Sequence, residues 1–329
     1  MTKKIALVGC GNIGSYHLQS LAKLKESCHI QVVEPNPLSV ETGKQRLGSI
    51  LQKNAKKIDI QWLTNIDRVD ENADLTIIAT LATDRVGIIN KLISMGHRRF
   101  LIEKVVCQST DEYERLLCLM NDHNARGWVN CTLRYADFYK KAAPILQAGR
   151  GPVVFNARIG TTGLGCNAIH FLDLFNWFTG DCETVKLDGR YILPGLFDNS
   201  RGEDLVEFAG TITGQNQNGD FLTITFLPDN DDDFTVNIFC ENVRVWVSEA
   251  AEKGFIAVKD SDWDLCEYHY QPPYTSIVTT QIAEEIFSND SCQLPKVEEL
   301  FASHKELFGV FNSVIETVAN KQTELCPIT

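Results

Sequence analysis

The stretch Gly9-Cys10-Gly11-Asn12-Ile13-Gly14 limits this chain's fold more than any other feature. It satisfies G-x-G-x-x-G, follows the short apolar run of residues 3–9 (KKIALVG), and opens residues 15–24 (SYHLQSLAKL), where Leu18, Leu21 and Leu24 recur at helical spacing. Strand, tight turn and helix in that order form a bend in which the first glycine permits the turn, the second admits close approach of a pyrophosphate, and the third lets helix and strand pack. An anion at such a helix start meets unsatisfied N–H groups and the positive end of the helix dipole. Gly9, Gly11, Asn12, Ile13 and Gly14 are therefore the expected dinucleotide contacts.

Residues 30–34 (IQVVE) read as a second strand, ended by Pro35 and Pro37, which cannot donate to a sheet ladder. Glu34 lies 20 residues beyond Gly14, at the strand's carboxyl end, where its carboxylate can accept from the adenosine ribose hydroxyls. A 2′-phosphate there would meet like charge, so NAD is expected over NADP. Residues 75–80 (LTIIAT) and 100–102 (FLI) read as later buried strands, with residues 85–95 helical between them and Gly96 as the stop. Thr80 and Glu103, at the ends of those strands, join the expected cofactor contacts. The alternation predicts a doubly wound parallel sheet of the Rossmann type over residues 1–125.

Beyond residue 125, segments 152–160, 205–213, 221–227, 234–240 and 243–247 alternate apolar with polar residues, as half-buried antiparallel strands do, and a helix is predicted over 297–320. Residues 126–329 are read as an α+β domain with a large, open, mainly antiparallel sheet. The acidic run Asp229 to Asp233 reads as a solvated loop.

Composition narrows the partners. With 44% hydrophobic and 22% charged residues the chain is outside the range of disordered sequences. A net charge of -12 without a basic run repels phosphate backbones, so nucleic acid is not an expected partner. No apolar stretch approaches membrane-spanning length, and the start has no signal-peptide core, so a cytoplasmic protein that neither crosses nor binds a membrane is expected. Eleven cysteines, an odd number without a C-x-x-C pair or zinc spacing, suit reduced thiols and no bound metal.

The order of motifs along the chain, with the glycine turn, Glu103-Lys104, Arg134-Tyr135, residues 163–170 (GLGCNAIH) leading into 171–180 (FLDLFNWFTG), and Leu294-Pro295 before the last helix, resembles the Gfo/Idh/MocA family of sugar and inositol dehydrogenases and reductases over essentially the full length. The resemblance implies an NAD(P)-dependent oxidoreductase acting on a sugar, sugar derivative or sugar nucleotide, assembled as a homodimer or homotetramer through the C-terminal sheet. It places the family lysine on Lys104, the histidine on His170 and a further aspartate on Asp173 as catalytic groups, with Arg134, Tyr135, Cys166, Asn167 and His170 toward a polyhydroxyl substrate. Residues 166, 170 and 173 share one helix face by spacing. His170 suits proton transfer near neutrality and Lys104 suits stabilising a developing oxygen charge.

Three positions depart from the family pattern: Val105 replaces a proline, Leu81 stands where a proline often follows the fourth strand, and Cys166 replaces the aspartate four residues before the histidine. A thiol cannot fix charge as a carboxylate does. Two other readings therefore stay open: a dinucleotide-binding regulatory member that has lost its chemistry, and an imine or keto reductase on a non-sugar substrate. His17 and His97, without a partner pattern, read as surface or packing residues.

Overall fold

The computed structural model describes residues 2–54, 58–160, 163–198, 201–228, 234–320 and 322–329. The acidic run Asp229 to Asp233 lies outside the described residues. The chain divides into two compact units: residues 1–107, 111–132 and 273–298 form the first, and residues 108–110, 133–272 and 299–329 the second. The units are not two consecutive stretches, because residues 273–298 return to the first after the second has been built.

The first unit alternates strand and helix: β1 (Lys3–Val8), α1 (Asn12–Leu21), β2 (Cys28–Val33), α2 (Pro37–Asn54), β3 (Ile58–Leu63), β4 (Leu75–Ile78), α3 (Arg85–Ser94), β5 (Arg99–Ile102), α4 (Thr110–Asp122) and β6 (Arg126–Val129). Its sheet runs β3-β2-β1-β4-β5-β6 with every pair parallel. Strands covered on both faces need near-continuous apolar sequence, and Ile5, Leu7, Ile30, Val32, Leu75, Ile77, Phe100 and Leu101 supply it fully buried. The strand order reverses between β1 and β4, the place where ligands of open α/β sheets bind outside the carboxyl ends. The ladder continues one residue past each strand, through Gly9 N–H to Val33 O, Glu34 N–H to Leu63 O, Ala79 N–H to Val8 O, Glu103 N–H to Ile78 O and Asn130 N–H to Ile102 O. Those bonds set Gly9, Glu34, Glu103 and Asn130 in one row along the carboxyl edge, with Thr80 one residue beyond.

The second unit holds α5 (Asp137–Gln147), β7 (Val154–Ile159), α6 (Leu164–Thr179), β8 (Lys186–Ile192), β9 (Phe197–Asp198), β10 (Val206–Glu207), β11 (Gly210–Gln215), β12 (Phe221–Phe226), β13 (Thr235–Phe239), β14 (Val243–Ser248), β15 (Lys253–Val258) and β16 (Cys266–His269). After α7 (Thr275–Asn289), which belongs to the first unit, the chain ends with α8 (Phe301–Ala319). The eight-stranded sheet runs β16-β15-β14-β13-β7-β12-β11-β8, antiparallel except for the β7–β12 pair. Strand alternation buries one face through Phe155, Ile212, Leu222, Ile224, Ile238 and Val245. The α6 rings pack there, with the Phe155 and Phe175 centroids 6.1 Å apart. The expected fold class is thus observed in both units, and the helix predicted over 297–320 starts at Phe301 after a 3-10 turn at Glu298–Leu300.

Candidate active site

The three glycines divide the structural work. Gly9 has a φ of +89°, and a Cβ there would lie 2.9 Å from Ala79 C and O and from Thr80 N, across the reversal point. A Cβ on Gly14 would lie 2.1 Å from the Gly9 carbonyl oxygen, so the third glycine is what lets α1 start hard against the turn. At Gly11 nothing stands within 4 Å of the built Cβ. The first and third positions are filled from inside the protein, whereas the second opens outward at the head of α1, where a diphosphate needs main-chain approach. The Thr80 hydroxyl is buried without a hydrogen-bond partner among the described residues. An outward cradle at Gly11 and an orphaned hydroxyl across the reversal point both fit a dinucleotide.

Glu34 is fixed before any ligand arrives. Its Oε2 accepts from Cys10 N–H at 2.6 Å and its Oε1 from Asn36 N–H at 2.9 Å. A carboxylate has about four lone-pair sites, so acceptor capacity remains for ribose hydroxyls. Burial and the Glu34 charge push the Cys10 thiol up to about 12, which leaves it inert inside the turn. On the outer side, Arg46 from α2 donates to Asn12 O at 2.9 Å and Asn12 Oδ1 at 2.8 Å, bonds Ser15 Oγ, and stacks 4.1 Å from the Tyr16 ring centroid. Arg46 therefore occupies the Asn12 amide, a contact invisible in the spacing of the glycines.

Lys104 follows β5 at the carboxyl edge and is buried. Its neighbours are gripped from two directions. The Glu103 carboxylate meets His17 Nε2 at 2.9 Å and accepts from Asn130 Nδ2 at 2.5 Å, while the buried Arg85 guanidinium donates to the main-chain oxygens of Thr80, Glu103 and Val105. His17 holds the Glu103 carboxyl down at about 2 despite its burial. His17 is no surface residue. His97 is also fully buried and packs through bonds to Thr76 Oγ1 at 2.6 Å and Asp70 O at 3.0 Å, as expected of a packing residue.

In the second unit, α6 carries Cys166, Asn167, His170 and Asp173. Glu207 on β10 braces the helix start, with its Oε2 accepting from Gly165 N–H at 2.8 Å and Phe208 N–H at 3.3 Å. A Cβ on Gly163 would come within 2.0 Å of that oxygen, so the glycines here make room for an anion at the positive end of the helix. Asn167 and His170 are half-buried, Cys166 is buried, and Asp173 is fully buried. Arg134 clamps Asp173 in bidentate fashion, Nε lying 3.1 and 3.0 Å from Oδ1 and Oδ2 and Nη2 2.6 Å from Oδ1, with Glu299 3.7 Å from Nη1. Burial outweighs the guanidinium and raises the Asp173 carboxyl to about 6. Tyr135 is buried, with the Lys140 ammonium 5.2 Å above its ring.

The family model for an oxidoreductase family with an NAD-binding Rossmann fold, Gfo/Idh/MocA, matches residues 3–131. That stretch, which spans the parallel-sheet part of the first unit, is therefore similar to the NAD-binding domain of the Gfo/Idh/MocA oxidoreductases. The whole fold is similar to that of the WlbA dehydrogenase from Bordetella pertussis, solved with NADH and UDP-GlcNAcA (16% identity, 97% of this chain and 98% of that one covered, TM-score 0.70). It is also similar to a levoglucosan dehydrogenase solved with NADH and levoglucosan (13%, 97% and 98%, 0.72). A third likeness is to the UDP-N-acetylglucosamine 3-dehydrogenase GnnA from Acidithiobacillus ferrooxidans (13%, 97% and 99%, 0.65). At these identities the likeness is one of fold. No curated protein matches the sequence.

Among the Gfo/Idh/MocA positions read from the sequence, the structure gathers Gly9, Gly11, Gly14, Glu34, Thr80, Glu103 and Lys104 on one sheet edge and Cys166, Asn167, His170 and Asp173 on one helix. It ties Asp173 to Arg134, which the spacing did not pair. Sequence reasoning also passed over His17, Arg85, Arg46 and Glu207. A basic residue at the start of α3, where the helix dipole opposes it, was the one available sign that Arg85 has other partners.

Proposed function

We propose that the protein is an NAD-dependent oxidoreductase acting on a hydroxyl or carbonyl of a sugar, sugar derivative or sugar nucleotide. The observation that carries this reading is the outward-opening main chain at Gly11, flanked by glycines that the interior requires. When bound, the coenzyme supplies the hydride acceptor or donor. Glu34 recognises a ribose diol and disfavours a 2′-phosphate, so NAD is preferred over NADP. The half-buried imidazole of His170 removes the hydroxyl proton in oxidation and returns it in reduction. The Lys104 ammonium stabilises the oxygen as charge develops. Asp173 and Arg134 act as a unit that holds the His170 helix, and Asn167 on the same helix contributes to binding a polyhydroxyl ligand. Cys166 in the aspartate position supports a second reading, a family member that binds the coenzyme without turnover.

Turnover of NADH and NADPH with a panel of keto-sugars, and of NAD+ and NADP+ with polyhydroxyl compounds, separates these readings. Lys104→Ala and His170→Ala are each expected to lower kcat by about 10²- to 10⁴-fold while NADH still binds. Unchanged turnover in both removes the assigned roles. A parent that binds NADH but turns over nothing favours the second reading, which a gain of activity in Cys166→Asp would support.

The assembly is read from the open face of the second unit's sheet. Phe239 and Phe221 flank Val154 in register, and Trp246, 40% exposed, stacks on Phe255 with centroids 4.9 Å apart. An apolar face of this kind fits a second copy of the chain. Light scattering is expected to return a dimer or tetramer that Trp246→Glu dissociates, and a monomeric parent would remove this assignment. The proposed cytoplasmic location rests on cysteine usage; separately, no helix among the described residues is long and apolar enough to cross a membrane.

A further inference from the structure

The first unit contains a buried polar cluster beside Lys104 that the proposed proton and oxygen chemistry leaves unexplained. The His17 imidazole on α1 is fully buried, with Nδ1 2.9 Å from Thr279 Oγ1 and Nε2 2.9 Å from Glu103 Oε1. The Thr279 hydroxyl donates to Thr275 O at 2.8 Å, so toward His17 its oxygen accepts and Nδ1 donates. On the other side of the ring stands a carboxylate already receiving Asn130 Nδ2, again an acceptor. Both ring nitrogens therefore face acceptors, which requires the doubly protonated ring. Exchanging such a buried ion pair for apolar side chains is often neutral or favourable, so stability alone does not account for it.

What the pair touches points to its use. Glu103 is covalently joined to Lys104, and the Lys104 charge acts on the Glu103 carboxyl through space. Arg85 fixes the Glu103 and Val105 carbonyls on either side of the lysine. The charged groups around the carboxylate are His17 from α1, Lys104 itself and Arg85 from α3; Asn130, after β6, and Thr279, on α7, are neutral.

We propose that His17 and Glu103 form a buried imidazolium–carboxylate pair that sets the charge and placement of Lys104, which makes His17 a positioning residue for the lysine. With the pair formed, the His17 and Glu103 charges cancel each other beside the ammonium, and Arg85 is unchanged in either state. With His17 neutral, the full Glu103 charge acts on Lys104, holds its proton more tightly and draws the ammonium toward the carboxylate. Thr279, on the α7 segment that returns to the first unit, supplies the acceptor that orients the ring. The functional consequence rests on the assignment of Lys104 to the reaction, whereas the electrostatic effect does not.

The test is the titration of Lys104 in the full-length protein, read by NMR of ¹³C-methylated lysines and assigned with Lys104→Arg. In His17→Gln, which keeps a donor but removes the charge, the Lys104 midpoint is expected to rise by on the order of one pH unit. The double variant His17→Gln/Glu103→Gln is expected to return it toward the parent. Thr279→Val, which removes the orienting acceptor, is expected to shift the midpoint in the same direction by less, and it carries the test if His17→Gln does not fold. NADH affinity is expected to hold in His17→Gln while kcat on any substrate from the panel falls. An unmoved midpoint in a folded His17→Gln or Thr279→Val protein overturns the proposal. Full turnover in Lys104→Ala instead overturns the catalytic assignment and leaves the pair standing.

Discussion

Gly14→Ala is expected to destabilise the first unit by about 3 kcal/mol or more, whereas Gly11→Ala is expected to leave stability within about 1 kcal/mol of the parent and remove coenzyme binding. The difference comes from what each new methyl group would meet. At Gly14 it would stand 2.1 Å from the Gly9 carbonyl oxygen and 2.8 Å from the Gly9 carbonyl carbon, main-chain atoms that cannot rotate away. Gly9 cannot yield either, because its own φ of +89° is set against the main chain of Ala79 and Thr80. The roughly 1 kcal/mol that alanine gains over glycine inside a helix does not offset a forced shift of α1 from β1. Gly11 has an ordinary φ of -64° that alanine adopts, and no atom within 4 Å to displace. Its methyl group would instead fill the space the diphosphate needs, and a loss of at least about 100-fold in NADH affinity, near 2.8 kcal/mol, is expected. Urea unfolding and NADH fluorescence titration of the two variants decide the matter. A Gly11→Ala protein that binds NADH like the parent would show that the outward space serves something else.

The parts of this molecule visible in its sequence are those whose physics is local. A strand, three glycines and a helix face lie within the first 24 residues, so the turn and its roles could be read directly. The buried strands announced themselves as unbroken apolar runs, and the second sheet by alternation at residues 154–159, 221–226 and 235–239. Strand β8, with sequence KLDGRYI, has neither signature, and α2 is polar along most of its length, so both escaped. The return of α7 to the first unit is a contact across most of the chain, which no periodicity encodes. His17 illustrates the limit. Its place three residues after Gly14 puts it on the same helix face as the glycine, turned toward the sheet edge, but its partners Glu103 and Thr279 lie 86 and 262 residues away along the chain. Spacing likewise placed Asp173 on the His170 face, while its bond to Arg134 depended on a fold the spacing could not supply.

Arg134→Met is expected to cost about 3 to 5 kcal/mol at neutral pH, because it leaves the Asp173 carboxylate fully buried without its counter-charge. The cost should also depend on pH in a definite direction. Burial already raises the Asp173 carboxyl from 3.8 to about 6 against the pull of Arg134, so the folded state holds that proton better than the unfolded chain does between these values. Stability from this group is therefore fully present below 3.8 and is lost as pH rises through about 6. Without the guanidinium the carboxyl moves higher still, and ionising it above neutrality becomes the dominant penalty. The stability gap between parent and Arg134→Met should be largest near pH 8 and shrink toward about pH 5, where a protonated Asp173 no longer needs a cation. Asp173→Asn added to Arg134→Met removes the ionisable group while keeping the shape, and should recover much of the loss at pH 8. Urea unfolding at the two pH values measures all of this. A gap that is the same at both would mean that Arg134 stabilises the protein through packing, including its position 5.8 Å from the Trp177 ring, rather than by compensating a buried charge.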